Sequence, residues 1–454
     1  MVRRLQLLAS ISLVLAACDP QRADWGLGAI DTMVTPPDNP RFGCGAVLPT
    51  PPPQFAATRD TCGFPAGALP GVTLGLDPSV LTTLPIRHVI VVMKENRSFD
   101  HLLGQLHDRG QPDVEAIPAG YANPDASGKL IAPFHASTTC WPFDPGHQAA
   151  GTTACIDGGA MDGFIRNAAA TTASDGQFVI SNYDDTDLPF YYWLAKTFAI
   201  SDRHFAPMVG GTFGCRNYLY FGTTAGVVDT GIVFPPPTTP SIFQSLMNAG
   251  FTWGVYTDGS PLSGTLDWSA GDPGVHTLAD LTRALDAGTL PNVAFVDGLD
   301  NIEDDHPDAD LQRGEQFLKS IYDHAFASPE WPRLAMFWTY DEAGAFADHV
   351  RPETPGCAAL PSDSPFTDRG PRVPLVAISP WARRNFASHV VHDHTAITRF
   401  IEAIFNLPAL TGRDANSDAL FDLFDFSCGR DLHVDAALAP GTGGCTNPAP
   451  PGTN

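Results

Sequence analysis

Lysine is nearly missing from this chain: it occurs only at positions 94, 129, 196 and 319 of 454. Lys and Arg together number 26 against 50 Asp and Glu, a net charge of −24 with neutral histidines. So acidic a chain lacks the basic surface that nucleic-acid phosphates require, which excludes that class of partner. Charge of either sign is also scarce, at 17% of residues, whereas 43% are hydrophobic. That balance supplies a large core and rules out a wholly disordered chain. There is no C-x2-C pair, which argues against a zinc cluster. The apolar stretch over residues 5–15 is shorter than the about 20 residues a membrane-spanning helix needs. What is abundant is glycine and proline, 42 of each, so loops must be plentiful.

The N-terminal stretch reads as a processing segment. Arg3 and Arg4 precede the apolar run, and Leu15-Ala16-Ala17-Cys18 places small residues before a cysteine. This resembles a bacterial lipobox, in which Cys18 is lipidated and becomes the mature N-terminus. The expectation is an exported lipoprotein, anchored to a membrane and facing the periplasm or the cell exterior. Asp19 resembles a signal for retention at the inner membrane. Eight further cysteines, at 44, 62, 140, 155, 215, 357, 428 and 445, fit an oxidising compartment. Closeness in sequence favours pairs 44–62, 140–155 and 428–445, leaving 215 with 357.

After the leader (1–18), residues 19–84 form a Pro-rich linker and N-terminal arm, and residues 85–426 form the main domain. Within it, residues 104–190 are loop-rich and read as a cap-like insertion; residues 427–454 are a Gly/Pro-rich tail pinned by a disulfide. Buried-strand patterns occur at 86–93, 293–296, 334–340 and 373–378, the last interrupted by Pro374 and so placed nearer an edge. Helical periodicity occupies 310–327 and 395–405. Strands alternating with helices imply an α/β three-layer sandwich with a mostly parallel central sheet.

Ligands in such sheets bind beyond the carboxyl ends of the strands. Two pairs of oxygen-bearing side chains sit there: Glu95-Asn96 after the first strand and Asp341-Glu342 after the strand at 334–340. Together they form a donor set for a hard cation. Asp184-Asp185-Thr186-Asp187 could also bind Ca²⁺, but reads better as a solvated acidic turn. The aromatics Phe190, Tyr191, Tyr192 and Trp193 read as core.

These segments carry a resemblance. Glu95-Asn96-Arg97-Ser98-Phe99-Asp100-His101 resembles the signature of the phosphoesterase family that includes phosphatidylcholine-type phospholipases C and bacterial acid phosphatases. Four more segments follow in that family's order. Thr212-Phe213-Gly214-Cys215-Arg216 resembles its Thr-x-Pro-Asn-Arg nucleophile segment, and Glu303-Asp304-Asp305-His306-Pro307 its acidic-His-Pro segment. Asp341-Glu342-Ala343-Gly344-Ala345 through Asp348-His349-Val350 resembles Asp-Glu-x-Gly-Gly-x-x-Asp-His-Val, and Arg372-Val373-Pro374 with Ser379-Pro380-Trp381 resembles the last segment. The resemblance spans about residues 86–426 and implies an alkaline-phosphatase-like fold with loop-rich insertions.

It further implies that Glu95, Asn96, Asp341 and Glu342, with the Thr212 hydroxyl, hold one divalent metal ion: Ca, Mg, Mn or Zn. Thr212 would be the nucleophile, giving a phospho-threonine intermediate. Arg216 would hold the non-bridging oxygens. His306, His349 and His135 would carry protons, leaving-group protonation falling to His135 or His306; His101 is structural. The substrate would be a phosphate ester, either a phospholipid or a soluble phosphomonoester. Gly214, Cys215 and Ala345 depart from the family pattern, and they motivate the alternative of a catalytically impaired, surface-anchored binding protein of the same fold.

Overall fold

The computed structural model describes residues 48, 53–229, 238–259, 274–353, 356–359, 361–427, 434 and 436–443. The expected leader, Cys18, half of the 19–84 linker and arm, and the proposed 428–445 disulfide fall outside these residues.

Eight strands form the central sheet. In chain order they are β1 (His88–Lys94), β2 (Ala199–Ser201), β3 (Trp253–Tyr256), β4 (Val275–His276), β5 (Val293–Val296), β6 (Leu334–Tyr340), β7 (Leu375–Ile378) and β8 (Phe386–Ser388). Their spatial order is β8-β2-β7-β6-β1-β5-β3-β4. Every neighbouring pair is parallel except the two that involve β7. The apolar runs explain the centre. β6 is buried at all seven positions and β1 at six of seven, as strands covered on both faces must be.

The expectation for residues 373–378 is corrected. β7 is an interior strand between β2 and β6, because it begins at Leu375 and Pro374 lies just before the ladder. Proline at that point removes no ladder hydrogen bond.

Helices cover both faces. Among them are α1 (Phe99–Leu103), α2 (Thr212–Phe221), α3 (Leu311–Ala327) and α4 (His394–Phe405). Asp310 caps α3 by accepting from the Gln312 N–H at 3.0 Å, and Asp393 caps α4 from the Thr395 N–H at 3.0 Å. Each such cap is worth about 1 kcal/mol. All twelve residues of α4 are buried. Within residues 104–190, Met161, Phe164, Ile165 and Phe178 pack with Phe346 in a second, smaller hydrophobic cluster, while Leu106, Val114 and Leu188 join the main core. Tyr191 and Tyr192 are fully buried, as core aromatics. Asp184 accepts from the Thr186 N–H at 2.8 Å and Lys196 pairs with Asp185 at 3.2 Å, so this acidic turn is braced by its own neighbours.

The expected disulfides are also corrected. Cys62 pairs with Cys357 across 295 residues of sequence, and Cys155 and Cys215 are free and buried. That excludes 44–62, 140–155 and 215–357; Cys140 is disulfide-bonded as well. Sequence proximity misleads here because the N-terminal arm returns to the far end of the chain. Gly67 donates to the Ala409 carbonyl at 2.8 Å, and Ala409 donates back to Ala68 at 3.1 Å. No helix among the described residues is long and apolar enough to cross a membrane.

Candidate active site

The register of two parallel strands builds the floor of the site. Lys94 and Tyr340 are partners, so Glu95 and Asp341 follow side by side, and the Asp341 N–H donates to the Lys94 carbonyl at 3.0 Å. Asn96 comes next with φ +57°, a left-handed state that asparagine tolerates better than most residues. Its N–H donates to Asp341 Oδ1 at 3.0 Å, and the Glu342 N–H donates to the same atom at 2.7 Å. Gly344 has φ +61°, and a Cβ there would stand 2.3 Å from the Asn96 carbonyl oxygen, so no other residue fits. Its N–H donates to Glu342 Oε2 at 2.7 Å.

These bonds use one oxygen of Asp341 and one of Glu342. Asp341 Oδ2, Glu342 Oε1 and both side-chain polar atoms of Asn96 are buried without a hydrogen-bond partner. An unsatisfied buried group costs about 1–3 kcal/mol, so four in one corner call for a ligand. Three of the four, Asn96 Oδ1, Asp341 Oδ2 and Glu342 Oε1, are oxygens, the donor chemistry of a hard divalent cation. The carboxyl groups of Glu95, Asp341 and Glu342 do not all converge within 4.8 Å. Arg216 instead draws on two of them, with Nη2 2.7 Å from Glu95 Oε1 and Nε 3.5 Å from Asp341 Oδ2.

Thr212 is the first residue of α2 and is buried, with its hydroxyl donating to Glu95 Oε2 at 3.3 Å. It therefore sits at the positive end of a helix dipole. One turn further along, the Arg216 guanidinium is fully buried beneath the site, and its Nη1 donates to Asp297 Oδ1 at 2.8 Å. Burial opposes its charge, but the three carboxylates outweigh burial and raise its pKa. The structure thus gives Arg216 three carboxylate partners.

Gly214 accounts for one departure from the motif. A Cβ at this position would lie 2.7 Å from the Val227 carbonyl oxygen. Cys215 points into the core, with Sγ 3.9 Å from the Met208 carbonyl oxygen, and burial pushes its thiol pKa well up. Ala345 keeps the left-handed conformation that the motif's glycine would adopt freely, φ +56°.

Above this floor opens a cavity of about 810 Å³. Glu95, Thr212 and His306 line it, with Asp144, His147 and Asp304. His147 Nε2 lies 3.7 Å from Glu342 Oε1, and its Nδ1 lies 3.2 Å from Asp144. Burial would lower the His147 pKa, yet Glu342 and Asp144 raise it to about 10. Burial raises Glu342 to about 8, against the pull of His147. Glu95 is pushed up by burial and by Asp341, with Arg216 opposing. His306 Nε2 faces Asp144 at 3.9 Å and its Nδ1 faces Asp308 at 3.4 Å.

Two expected histidines are not brought to this cavity. His135 belongs to the two-residue strand Phe134–His135, which pairs with Ser181–Asn182. It is exposed, bonds Asp187 at 2.8 Å, and lines a different cavity with Arg109 and Asp184. His349 Nδ1 bonds Asp100 Oδ2 at 2.7 Å, within a buried network around Arg372. His101 is structural: its Nδ1 lies 2.7 Å from the Ser181 carbonyl oxygen and its ring stacks on Phe346. Sequence reasoning missed Asp297 and His147. Asp297 directly follows β5, so the strand-end rule that singled out Glu95 and Asp341 also covers it. His147 lies in the insertion loop Asp144-Pro145-Gly146-His147, which carries no signal of its own.

Comparison with known proteins agrees with this geometry. Residues 86–408 match the model of the Phosphoesterase family. Non-specific phospholipase C1 of Arabidopsis thaliana is 32% identical over 376 residues, which cover 73% of this chain and 69% of that protein. Phospholipase C B of Mycobacterium tuberculosis is 29% identical over 437 residues, covering 80% of this chain and 82% of that protein. Among solved structures, an alkaline phosphatase superfamily protein from Vibrio parahaemolyticus aligns with a TM-score of 0.35 at 10% identity, over 70% of this chain and 77% of that one. With the match spanning most of its length, the chain belongs to the phosphoesterase family and is a phosphoric ester hydrolase.

Proposed function

We propose that this protein is an exported, metal-assisted phosphoesterase of the phospholipase C type, which hydrolyses its substrate through Thr212. The observation that carries this reading is the placement of Thr212. Its hydroxyl is buried at a helix N-terminus, bonded to Glu95, beside a corner of oxygen donors that lack partners.

Glu95, Asn96, Asp341 and Glu342, with the Thr212 hydroxyl, would hold one divalent cation. Such an ion, when bound, supplies the positive charge that favours the alkoxide and offsets the phosphate charge. The remaining work falls to the chain's own groups. Glu95 accepts the Thr212 hydroxyl proton through their hydrogen bond. Thr212 Oγ attacks phosphorus, the leaving-group oxygen departs, and a phospho-threonine forms. His306, at the cavity wall, protonates that leaving group and afterwards deprotonates the water that releases phosphate from Thr212, whose departing Oγ takes its proton back from Glu95. His147, whose pKa is raised by Glu342 and Asp144, supplies positive charge at the cavity wall. Arg216 is a positioning residue, fixing Glu95 and Asp341.

Phospholipid rather than phosphomonoester substrates are favoured because the compared relatives are phospholipases C and the cavity is large enough for a headgroup. Lipid anchoring through Cys18 belongs to the same proposal, and Cys18→Ala should move the protein from the membrane to the soluble fraction. The mechanism is tested with p-nitrophenylphosphorylcholine and p-nitrophenyl phosphate in the presence of divalent cations. Turnover should prefer the first substrate, and Thr212→Ala should lower it by a factor on the order of 10⁴ or more. Unchanged turnover in that variant would remove Thr212 from the mechanism.

A further inference from the structure

Among the described residues, three clusters bring histidine and carboxylate ligand atoms within 4.8 Å of one another. Two of them already contain an arginine. Arg109 pairs with Asp184 in the His135 cluster, and Arg372 bonds both Asp100 and Asp348 in the His349 cluster. The third, His392 with Asp418 and Asp422, is built differently. An arginine pairs here only loosely and from the rim: Arg59 stands 3.7 Å from Asp418 Oδ2 and donates instead to the Thr73 carbonyl at 3.0 Å.

His392 is fully buried and its ring is held from behind. Nδ1 lies 3.1 Å from Ser201 Oγ, the backbone N–H donates to the Arg203 carbonyl at 2.9 Å, and its carbonyl accepts from Phe205 at 2.9 Å. Nε2 is thereby aimed at Asp418 Oδ1 and Asp422 Oδ1, 3.6 Å from each. These are not hydrogen bonds, whose N···O distances run about 2.7–3.2 Å. Both Nε2 and Asp422 Oδ1 are buried with no hydrogen-bond partner. Two ligand atoms on a tetrahedral ion with bonds of about 2.0–2.2 Å stand about 3.3–3.6 Å apart. The spacing suits an ion between them better than a shared proton.

We propose that His392, Asp418 and Asp422 form a second, structural metal site that binds a divalent transition metal. One imidazole with two carboxylates suits zinc among the common ions. The aspartate side chains are 30% and 27% exposed, which leaves room for water at a fourth position. Neighbouring groups orient the ligands as such sites require: Ser388 Oγ donates to Asp422 Oδ2, and the Leu420 N–H donates to Asp418 Oδ1 at 2.9 Å. None of the three ligands lines the catalytic cavity. The site would tie the segment preceding α4 to the segment after Ser417, beside Arg59 of the N-terminal arm.

The test uses the full chain carrying Asp341→Asn and Glu342→Gln, which vacates the corner proposed for catalysis and so separates the two claims. After chelation, reloading with zinc chloride and desalting, this chain should retain one zinc per molecule. Adding Asp422→Asn or His392→Gln should reduce zinc to background. Cobalt in place of zinc should give the intense visible bands of a four-coordinate site, lost in the same variants. Asp422 is partly exposed, so Asp422→Asn should keep the native circular dichroism even if His392→Gln does not. Loss of zinc in that folded chain then decides the matter. No zinc on the starting variant would overturn the site and leave a protonated His392 between two carboxylates. Zinc retained after Asp422→Asn would overturn it equally.

Discussion

Arg372 and Arg216 are both buried among carboxylates, and they differ in what is left over. Arg372 donates to Asp348 at 2.9 Å, to Asp100 at 2.8 Å and to the Asp202 carbonyl at 3.0 Å. Asp100 also bonds His349, and Asp348 accepts from the Val350 N–H at 2.9 Å. Nearly every charge there is answered inside the protein. Arg216 likewise bonds Glu95 and Asp297, but around it the Asn96 side chain, Asp341 Oδ2 and Glu342 Oε1 have no hydrogen bond, the two carboxylate oxygens facing only the looser charges of Arg216 Nε at 3.5 Å and His147 at 3.7 Å. The first network lies off the cavity and the second lies under it. A closed network of buried charge is architecture; an open one beside a cavity is a place for a ligand.

The contrast can be broken from the structural side first. Arg372→Met should cost about 3–5 kcal/mol in denaturant unfolding, because it strands Asp100 and Asp348. Arg216→Met should show a comparable loss in chelator, and added divalent cation should recover part of it. Arg372→Met should show no such recovery. Equal behaviour of the two variants with cation would erase the distinction.

A smaller effect follows from His349. Burial lowers its pKa, but its hydrogen bond to Asp100 and the Glu115 carboxylate 3.8 Å from Nε2 raise it to about 9, above the unfolded value of about 6.5. Its contribution is therefore fully present below about pH 6.5 and is lost as pH rises through about 9. The unfolding free energy from urea titrations should fall across that window by an amount on the order of 3 kcal/mol, and His349→Gln should flatten the slope. The smallest change expected is at Ala345, where φ is +56°. Ala345→Gly should stabilise the fold by about 0.5–1 kcal/mol in thermal unfolding by relieving the left-handed backbone.

Much of this architecture could be read from periodicity. The apolar runs located β1, β5 and β6, because strands buried on both faces admit few alternatives. The same runs located Glu95, Asn96, Asp341 and Glu342, since residues directly after such strands emerge at the ligand-binding edge. Strand order could not be read, so β7 was placed near an edge by a proline that falls one residue outside it. The disulfides escaped for a related reason: Cys62 and Cys357 meet only because the arm crosses to the end of the chain. His147 and the His392 cluster depend on how loops fold over the sheet, which no local pattern encodes. Composition also gained meaning: several of the acidic residues that outnumber lysine and arginine gather at one cavity and beneath it.

The most direct test of the open corner is turnover as a divalent cation is returned to the chelator-treated protein, in the native chain and in Glu342→Gln. The expected result is no turnover without cation, recovery on titration, and a half-saturating concentration about tenfold or more higher in Glu342→Gln. Full turnover in chelator, or identical titrations for the two chains, would contradict the account.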